Sequence, residues 1–138
     1  MSTLQEFLNL NPVDNVVNEV IISDRFKDEN GSPLRFKIKA MTNAEFEEAR
    51  KKATTIKTKK GGSFDFDTRK FNETIIINHT INPEFKDANS IQKMGCITPE
   101  QYLNKVLLAG EIAELANQIQ TLSGFDKTFE EDIEEAKN

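Results

Sequence analysis

The sequence predicts an α+β fold, an N-terminal β-hairpin followed by a mostly helical body in a single domain of 138 residues. Three observations carry this. The segment 34–40 alternates strictly, with Leu34, Phe36, Ile38 and Ala40 on one face and Arg35, Lys37 and Lys39 on the other, as a half-buried strand requires. A β-branched run from 16 to 22 precedes it across Asp28-Glu29-Asn30-Gly31-Ser32-Pro33, whose Asn-Gly step tolerates the positive φ of a tight turn. After residue 42, helix-start signals recur ahead of apolar residues at helical spacing.

Taken in order, Leu4, Phe7 and Leu8 fall at helical spacing before Pro12, which predicts a short helix or docking arm over 1–14. The hairpin occupies 15–41 and the helical body 42–125. Thr42-Asn43-Ala44-Glu45 is a capping box, in which the threonine hydroxyl and the glutamate side chain each take up a backbone amide, and it opens a helix of about 43–54 with Phe46, Ala49 and Ala53 inward. Gly61-Gly62 predicts a loop over 56–64. Asp67-Thr68 can cap a helix of about 68–80 with Phe71, Ile75 and Ile76 on its apolar side. The run Thr74 to Ile77 also suits a strand, but strict alternation is missing and helix is preferred. A short helix of about 87–94 ends at Gly95.

Thr98-Pro99-Glu100-Gln101 is a second capping box, with proline at the first helical position where its missing amide costs nothing. A long helix is expected to follow to about residue 123. In it Leu108, Ile112, Leu115, Ile119 and Leu122 recur at steps of 4, 3, 4 and 3, a narrow seam of coiled-coil type. Gly110 interrupts the pattern as a kink, a close contact or a break into two helices. Gly124 stops it, and Phe125 is expected to fold back. The remaining 126–138 form an acidic tail in which a last helix of about 128–136 carries Phe129 and Ile133. The seam together with Phe125, Phe129 and Ile133 is the candidate surface for a partner or for self-association, although such seams mostly pack on their own core.

The hydrophobic fraction is 37% and the charged fraction 30%, which favours a thin core or a face completed by a partner. A formal charge of −5 argues against general nucleic-acid binding. The basic block formed by Arg50, Lys51, Lys52, Lys57, Lys59 and Lys60 keeps a nucleic-acid-binding regulator open as an alternative, but no aromatic residues stand between the lysines to stack on bases. A single cysteine, Cys96, forbids an internal disulfide and fits a reducing compartment. No apolar run approaches the ~20 residues that span a bilayer, and the N-terminus lacks the order of a signal peptide, so no membrane association and a cytoplasmic location are expected.

No catalytic, cofactor or metal site is expected. His79 is the one histidine and has no carboxylate, cysteine or second histidine at a recognisable spacing. Cys96 has no base beside it and reads as a buried thiol. The Asp24, Asp28, Asn30 and Gly31 cluster superficially resembles a calcium loop, yet a glycine in register would put Phe26 and Lys37 at ligand positions. Lys59-Lys60-Gly61-Gly62-Ser63 lacks the spacing of a phosphate loop.

The C-terminal part has a further property. Thr98-Pro99-Glu100, Leu107-Leu108-Ala109-Gly110-Glu111-Ile112, Leu115, Ile119, then Leu122-Ser123-Gly124-Phe125-Asp126 and the closing Glu135-Ala136-Lys137-Asn138, together with Asn82-Pro83-Glu84-Phe85-Lys86-Asp87-Ala88, resemble the XkdN-like tail assembly chaperones of tailed phages and phage-tail-like particles of Gram-positive bacteria. The hairpin and the Thr42-capped helix agree in order and length, so the resemblance extends over nearly the whole chain. It implies a non-enzymatic protein of the host bacterial cytoplasm that binds the tape-measure protein, and possible tail tube subunits, keeps the tape measure soluble during tail morphogenesis, and is absent from the mature particle. It also implies a short form of a product that many members extend by ribosomal frameshifting. The alternative reading is a structural subunit retained in the tail. Homo-oligomerisation is compatible with either.

Overall fold

The computed structural model describes residues 2–57 and 62–125. The elements are α1 (Thr3–Leu10), β1 (Val17–Val20), β2 (Phe36–Lys39), α2 (Asn43–Ala53), β3 (Thr54–Lys57), β4 (Ser63–Phe66), α3 (Thr68–His79), β5 (Thr80–Asn82), α4 (Ala88–Lys93), α5 (Pro99–Val106) and α6 (Ala109–Leu122). A single 3-10 turn at Val13–Asn15 links α1 to β1.

The hairpin is present. β1 and β2 pair antiparallel, with Val17 opposite Lys39 and Val20 opposite Phe36. Alternation sends Phe36 and Ile38 into the core and Lys37 to solvent, while Leu34 lies ahead of the strand and is exposed. The connection is longer than a tight turn. Its tip is closed by the Asp28 carboxylate, which accepts from the amides of Asn30 (2.8 Å) and Ser32 (2.9 Å), and by Gly31 at φ +81°. A third strand, β5, pairs with the free side of β2 to give the order β1-β2-β5. It follows directly on α3 and leads into a cis peptide at Asn82–Pro83.

The core forms where α3 packs against α2, α5 and α6, and α6 in turn meets β1 and β2. Ile38, Ile75, Ile76, Leu103, Leu115 and Ile119 are fully enclosed. Segment 68–79 is thus helical, its Ile75–Ile77 run buried on several sides, which is why it lacks the polar alternation of a half-exposed strand. Both expected capping boxes form. Thr42 Oγ1 accepts from the Glu45 amide at 3.2 Å while Glu45 takes the Thr42 amide at 2.9 Å, and Thr98 and Gln101 do the same ahead of α5. Asp67 and Asp87 cap α3 and α4.

Three expectations are corrected. The segment expected as a loop over 56–64 is flanked by strands, since β3 and β4 form an antiparallel hairpin in which Ile56 faces Phe64 and Thr54 faces Phe66. Cys96, expected to be buried, is partly exposed, and its thiol donates to the Met94 carbonyl. The long helix expected after residue 98 is two helices. Leu107 (φ −117°, ψ 143°) and Leu108 (φ −77°, ψ 158°) are extended, so the chain turns two residues before Gly110. Gly110 therefore sits in the first turn of α6, and a Cβ built there meets nothing within 4 Å. Gly110→Ala is accordingly expected to stabilise the fold by about 0.5 kcal/mol, read as a rise in the urea midpoint; a loss would mean that the glycine is needed for its backbone freedom.

The α5–α6 corner is held by a charge pair. Glu111, buried in the first turn of α6, accepts from Arg25 Nε (3.0 Å) and Nη2 (2.7 Å), and also takes the Leu108 amide at 2.8 Å. Arg25 additionally donates to the Val106 carbonyl, the end of α5, at 2.8 Å. One guanidinium from the hairpin connection thus bridges the two helix ends. The Arg25 hydrogen bonds, with smaller help from the Leu108 amide and the Ser23 hydroxyl, outweigh burial and pull the Glu111 carboxyl from its ordinary 4.5 down to about 2. A depressed carboxyl stabilises the fold above its unfolded value and loses that contribution as pH falls through the folded one. Stability is therefore expected to drop between about pH 4.5 and about 2 in the wild type and to drop less in Glu111→Gln, measured by urea denaturation across that window. Equal slopes in the two proteins would remove Glu111 from the account.

Beyond α6, Ser123 Oγ accepts from the Met41 amide at 2.8 Å and Gly124 adopts φ +97°. The chain then turns so that Phe125 stacks edge-on against Phe46 of α2, ring centres 4.9 Å apart.

Candidate functional site

The seam residues do not share one environment. Leu115 and Ile119 are wholly enclosed, at 0% exposure, inside the core where α6 meets α3. Ile112 and Leu122 are partly buried against the same core. Phe125 is partly buried on Phe46. Leu108 stands out at the α5–α6 corner, mostly exposed. Phe129 and Ile133 lie outside the described residues, as does the expected last helix. The periodicity that marked the seam thus records mainly how α6 meets its own domain.

An exposed apolar surface lies elsewhere, between α2 and the β3–β4 hairpin. Side chains alternate across a strand, and the pairing of Ile56 with Phe64 and of Thr54 with Phe66 places these four on one face of the hairpin. Ile56 is 65% exposed, Phe64 70% and Phe66 50%. They floor an open groove of about 1080 Å³, walled by Glu47, Glu48, Arg50 and Lys51 of α2. The Arg50 guanidinium is engaged with Glu47 at 2.6 Å, so the wall is a mixed-charge rim and not a bare basic stripe. The hairpin is anchored at its base, where the Asp67 amide donates to the Ala53 carbonyl (2.8 Å) and Phe66 meets Phe71 of α3 at 5.5 Å. An apolar floor with a polar rim is the chemistry of a groove that receives one face of a helix.

Its volume exceeds the roughly 300–1000 Å³ of ordinary small-molecule pockets. Two smaller hollows differ in character. A cleft of about 600 Å³ is lined by charged and amide side chains, among them Arg69, Glu73, Glu100, Asn104 and Lys105, with Cys96 at its edge. A hollow of about 340 Å³ beside Phe26, Leu34, Phe85 and Tyr102 sits at the end of the three-stranded sheet.

Reactive groups are sparse. His79 is buried with no hydrogen-bond partner at Nδ1. Burial lowers its pKa below the ordinary 6.5, the Glu45 carboxylate opposing this and the Lys39 and Lys86 ammonium groups adding to it, so the ring is neutral at physiological pH. Because protonation favours the unfolded chain, His79 weakens the fold as pH falls below its ordinary range. Among the described residues no three His, Cys, Asp or Glu side chains form a group that could hold a metal ion. No helix among them is long and apolar enough to cross a membrane.

Sequence reasoning missed Ile56, Phe64 and Phe66 as a group. The signal was the Phe64-Asp65-Phe66 alternation mirrored by Thr54-Thr55-Ile56 across the diglycine, too short on either side to stand as a strand alone.

Comparison with known proteins agrees with this architecture. The family model described as phage XkdN-like tail assembly chaperone protein matches residues 4–137. Over 123 residues the chain is 33% identical to the phage-like element PBSX protein XkdN of Bacillus subtilis (strain 168), covering 87% of this chain and 83% of that protein. The same identity and coverage hold for the uncharacterized protein YqbN of that strain. The crystal structure of YqbN superposes with a TM-score of 0.69 at 28% identity, covering 91% of this chain and 99% of the other. With its hairpin, capped helices and C-terminal motifs matched nearly end to end, the chain belongs to the XkdN-like family of phage tail assembly chaperones.

Proposed function

We propose that this chaperone binds the tape-measure protein during tail morphogenesis in the host cytoplasm, keeps its apolar helices soluble until tube subunits enclose it, and is left out of the mature particle. The observation that supports this most strongly is the open apolar groove of α2 and the β3–β4 hairpin. A long helical client exposes stripes of apolar side chains, and a groove with an apolar floor and a charged rim covers such a stripe while leaving the complex soluble. No bond need be made or broken, which suits a chain with one buried neutral histidine and one partly exposed thiol.

Co-expression with the tape-measure protein is the functional test. The tape measure is expected to move from the pellet to the soluble fraction and to co-purify with the chaperone. Mass spectrometry of purified particles is expected to find the tape measure and no stoichiometric chaperone. An unchanged pellet, or the chain present in particles at stoichiometric amount, would refute the reading; the second result would make it a structural subunit.

A further inference from the structure

Helix α1 carries an apolar stripe that nothing among the described residues covers. Ser2 caps it, accepting from the Gln5 amide at 3.1 Å. Leu4, Phe7 and Leu8 are three and four residues apart and share one face. Yet none of its residues is buried, and all three apolar side chains are exposed. Eight residues are too few to hold a helix in water by local energetics, since even ~12–15 are marginal. A capped apolar helix of this length is stabilised by what covers its stripe.

The groove of α2 and the β3–β4 hairpin is the complementary surface. Its apolar floor of Ile56, Phe64 and Phe66 matches a stripe of two leucines and a phenylalanine. The helix carries a single charge, Glu6, and the rim balances Glu47 and Glu48 against Arg50 and Lys51, so docking brings no block of like charge together. We propose that α1 of one copy docks in the α2/β3–β4 groove of a second copy, filling the client site until a client helix displaces it. The proposal rests on the groove being the client site, as argued above.

Donor and acceptor surfaces are different parts of the chain, so the contact is heterologous. Each bound pair keeps one free helix and one free groove, and association continues as concentration rises. A helix of eight residues, roughly 12 Å long, gives a small contact, so the association is weak and reversible. A client with a longer apolar stripe competes effectively against it.

Sedimentation velocity of the full chain over a range of concentrations tests this. The average mass is expected to rise with concentration. Phe7→Glu and Phe64→Glu are each expected to sediment as monomers. Mixing these two variants restores one intact helix and one intact groove, and is expected to give dimers and nothing larger. Ile56→Lys is a second groove variant, and circular dichroism checks that each is folded. A wild-type monomer at every concentration would overturn the proposal, as would association that the variants leave unchanged. Association that arises in the absence of residues 126–138 and not in the full chain would also overturn it, by showing that the chain covers its own groove. The client reading is scored separately by tape-measure capture. If the groove variants lose the tape measure while self-association persists in Phe7→Glu, α1 docking fails and the client site stands. If the groove variants keep the tape measure, the client site fails whatever the sedimentation shows.

Discussion

Leu115→Ala is expected to destabilise the fold by about 3 kcal/mol, read as a fall in the urea midpoint with little change in slope. Leu115 is wholly enclosed between α6 and α3, and its neighbours Ala116 and Ile119 are equally shut in. Removing its branched end leaves a cavity that two helices crossing at this point cannot close, and the lost contacts add to the lost burial. The magnitude decides between two roles for the seam. A leucine kept for a partner would be exposed in the isolated chain, and its truncation would move stability by no more than about 0.5 kcal/mol. A loss near 3 kcal/mol assigns Leu115 to the domain's own core; a loss near zero would return the seam to partner binding.

Phe64→Glu is expected to do the opposite, leaving stability within about 0.5 kcal/mol of the wild type while removing most of the affinity for the tape-measure protein. Phe64 is 70% exposed in the free chain, so the fold gains little from it. If the groove receives the client as proposed, its exposed ring is covered by the incoming helix, and aromatic anchors of this sort carry at least about 2 kcal/mol of binding, roughly thirtyfold in affinity. A carboxylate there must be desolvated without a partner, which adds to the loss. Titration of a soluble tape-measure segment against the two proteins, with urea denaturation of each alongside, separates the effects. Equal affinity would exclude the groove, and a collapse in stability would show that the β3–β4 hairpin supports the core more than its exposure indicates.

What could be read in the sequence follows the range of the interactions that make each element. The Thr42–Glu45 and Thr98–Gln101 boxes span three residues, and the alternation of Phe36 and Ile38 is a property of one strand, so the helix starts and the first hairpin were legible. The break at Leu107 and Leu108 was not. Neither residue is a helix breaker, and the corner is held by Arg25, 81 residues from Val106 and 86 from Glu111. Gly110 drew attention to the right turn of chain for a different reason from the one that bends it. Strand β5 is three residues long and exists because β2 offers it a free edge. The groove was hidden for a similar reason, since Ile56 and Phe64 become one surface through pairing across the diglycine. The seam was easy to see because a core-facing helix and a partner-facing helix share the same periodicity, and burial alone tells them apart. The family was legible through Asn82–Ala88 and the motifs after Thr98, strings whose order does not depend on knowing which face is open.

Hydrogen exchange on the chaperone, alone and after co-expression with the tape-measure protein, tests the proposed client groove most directly. The amides of 54–57 and 63–66 and those of the facing side of α2 are expected to exchange more slowly in the complex, while the amides of α6, already enclosed against α3, keep their free-state rates. Slowed exchange confined to α6 and the α5–α6 corner, with the β3–β4 hairpin unchanged, would contradict the account and place the client on the seam.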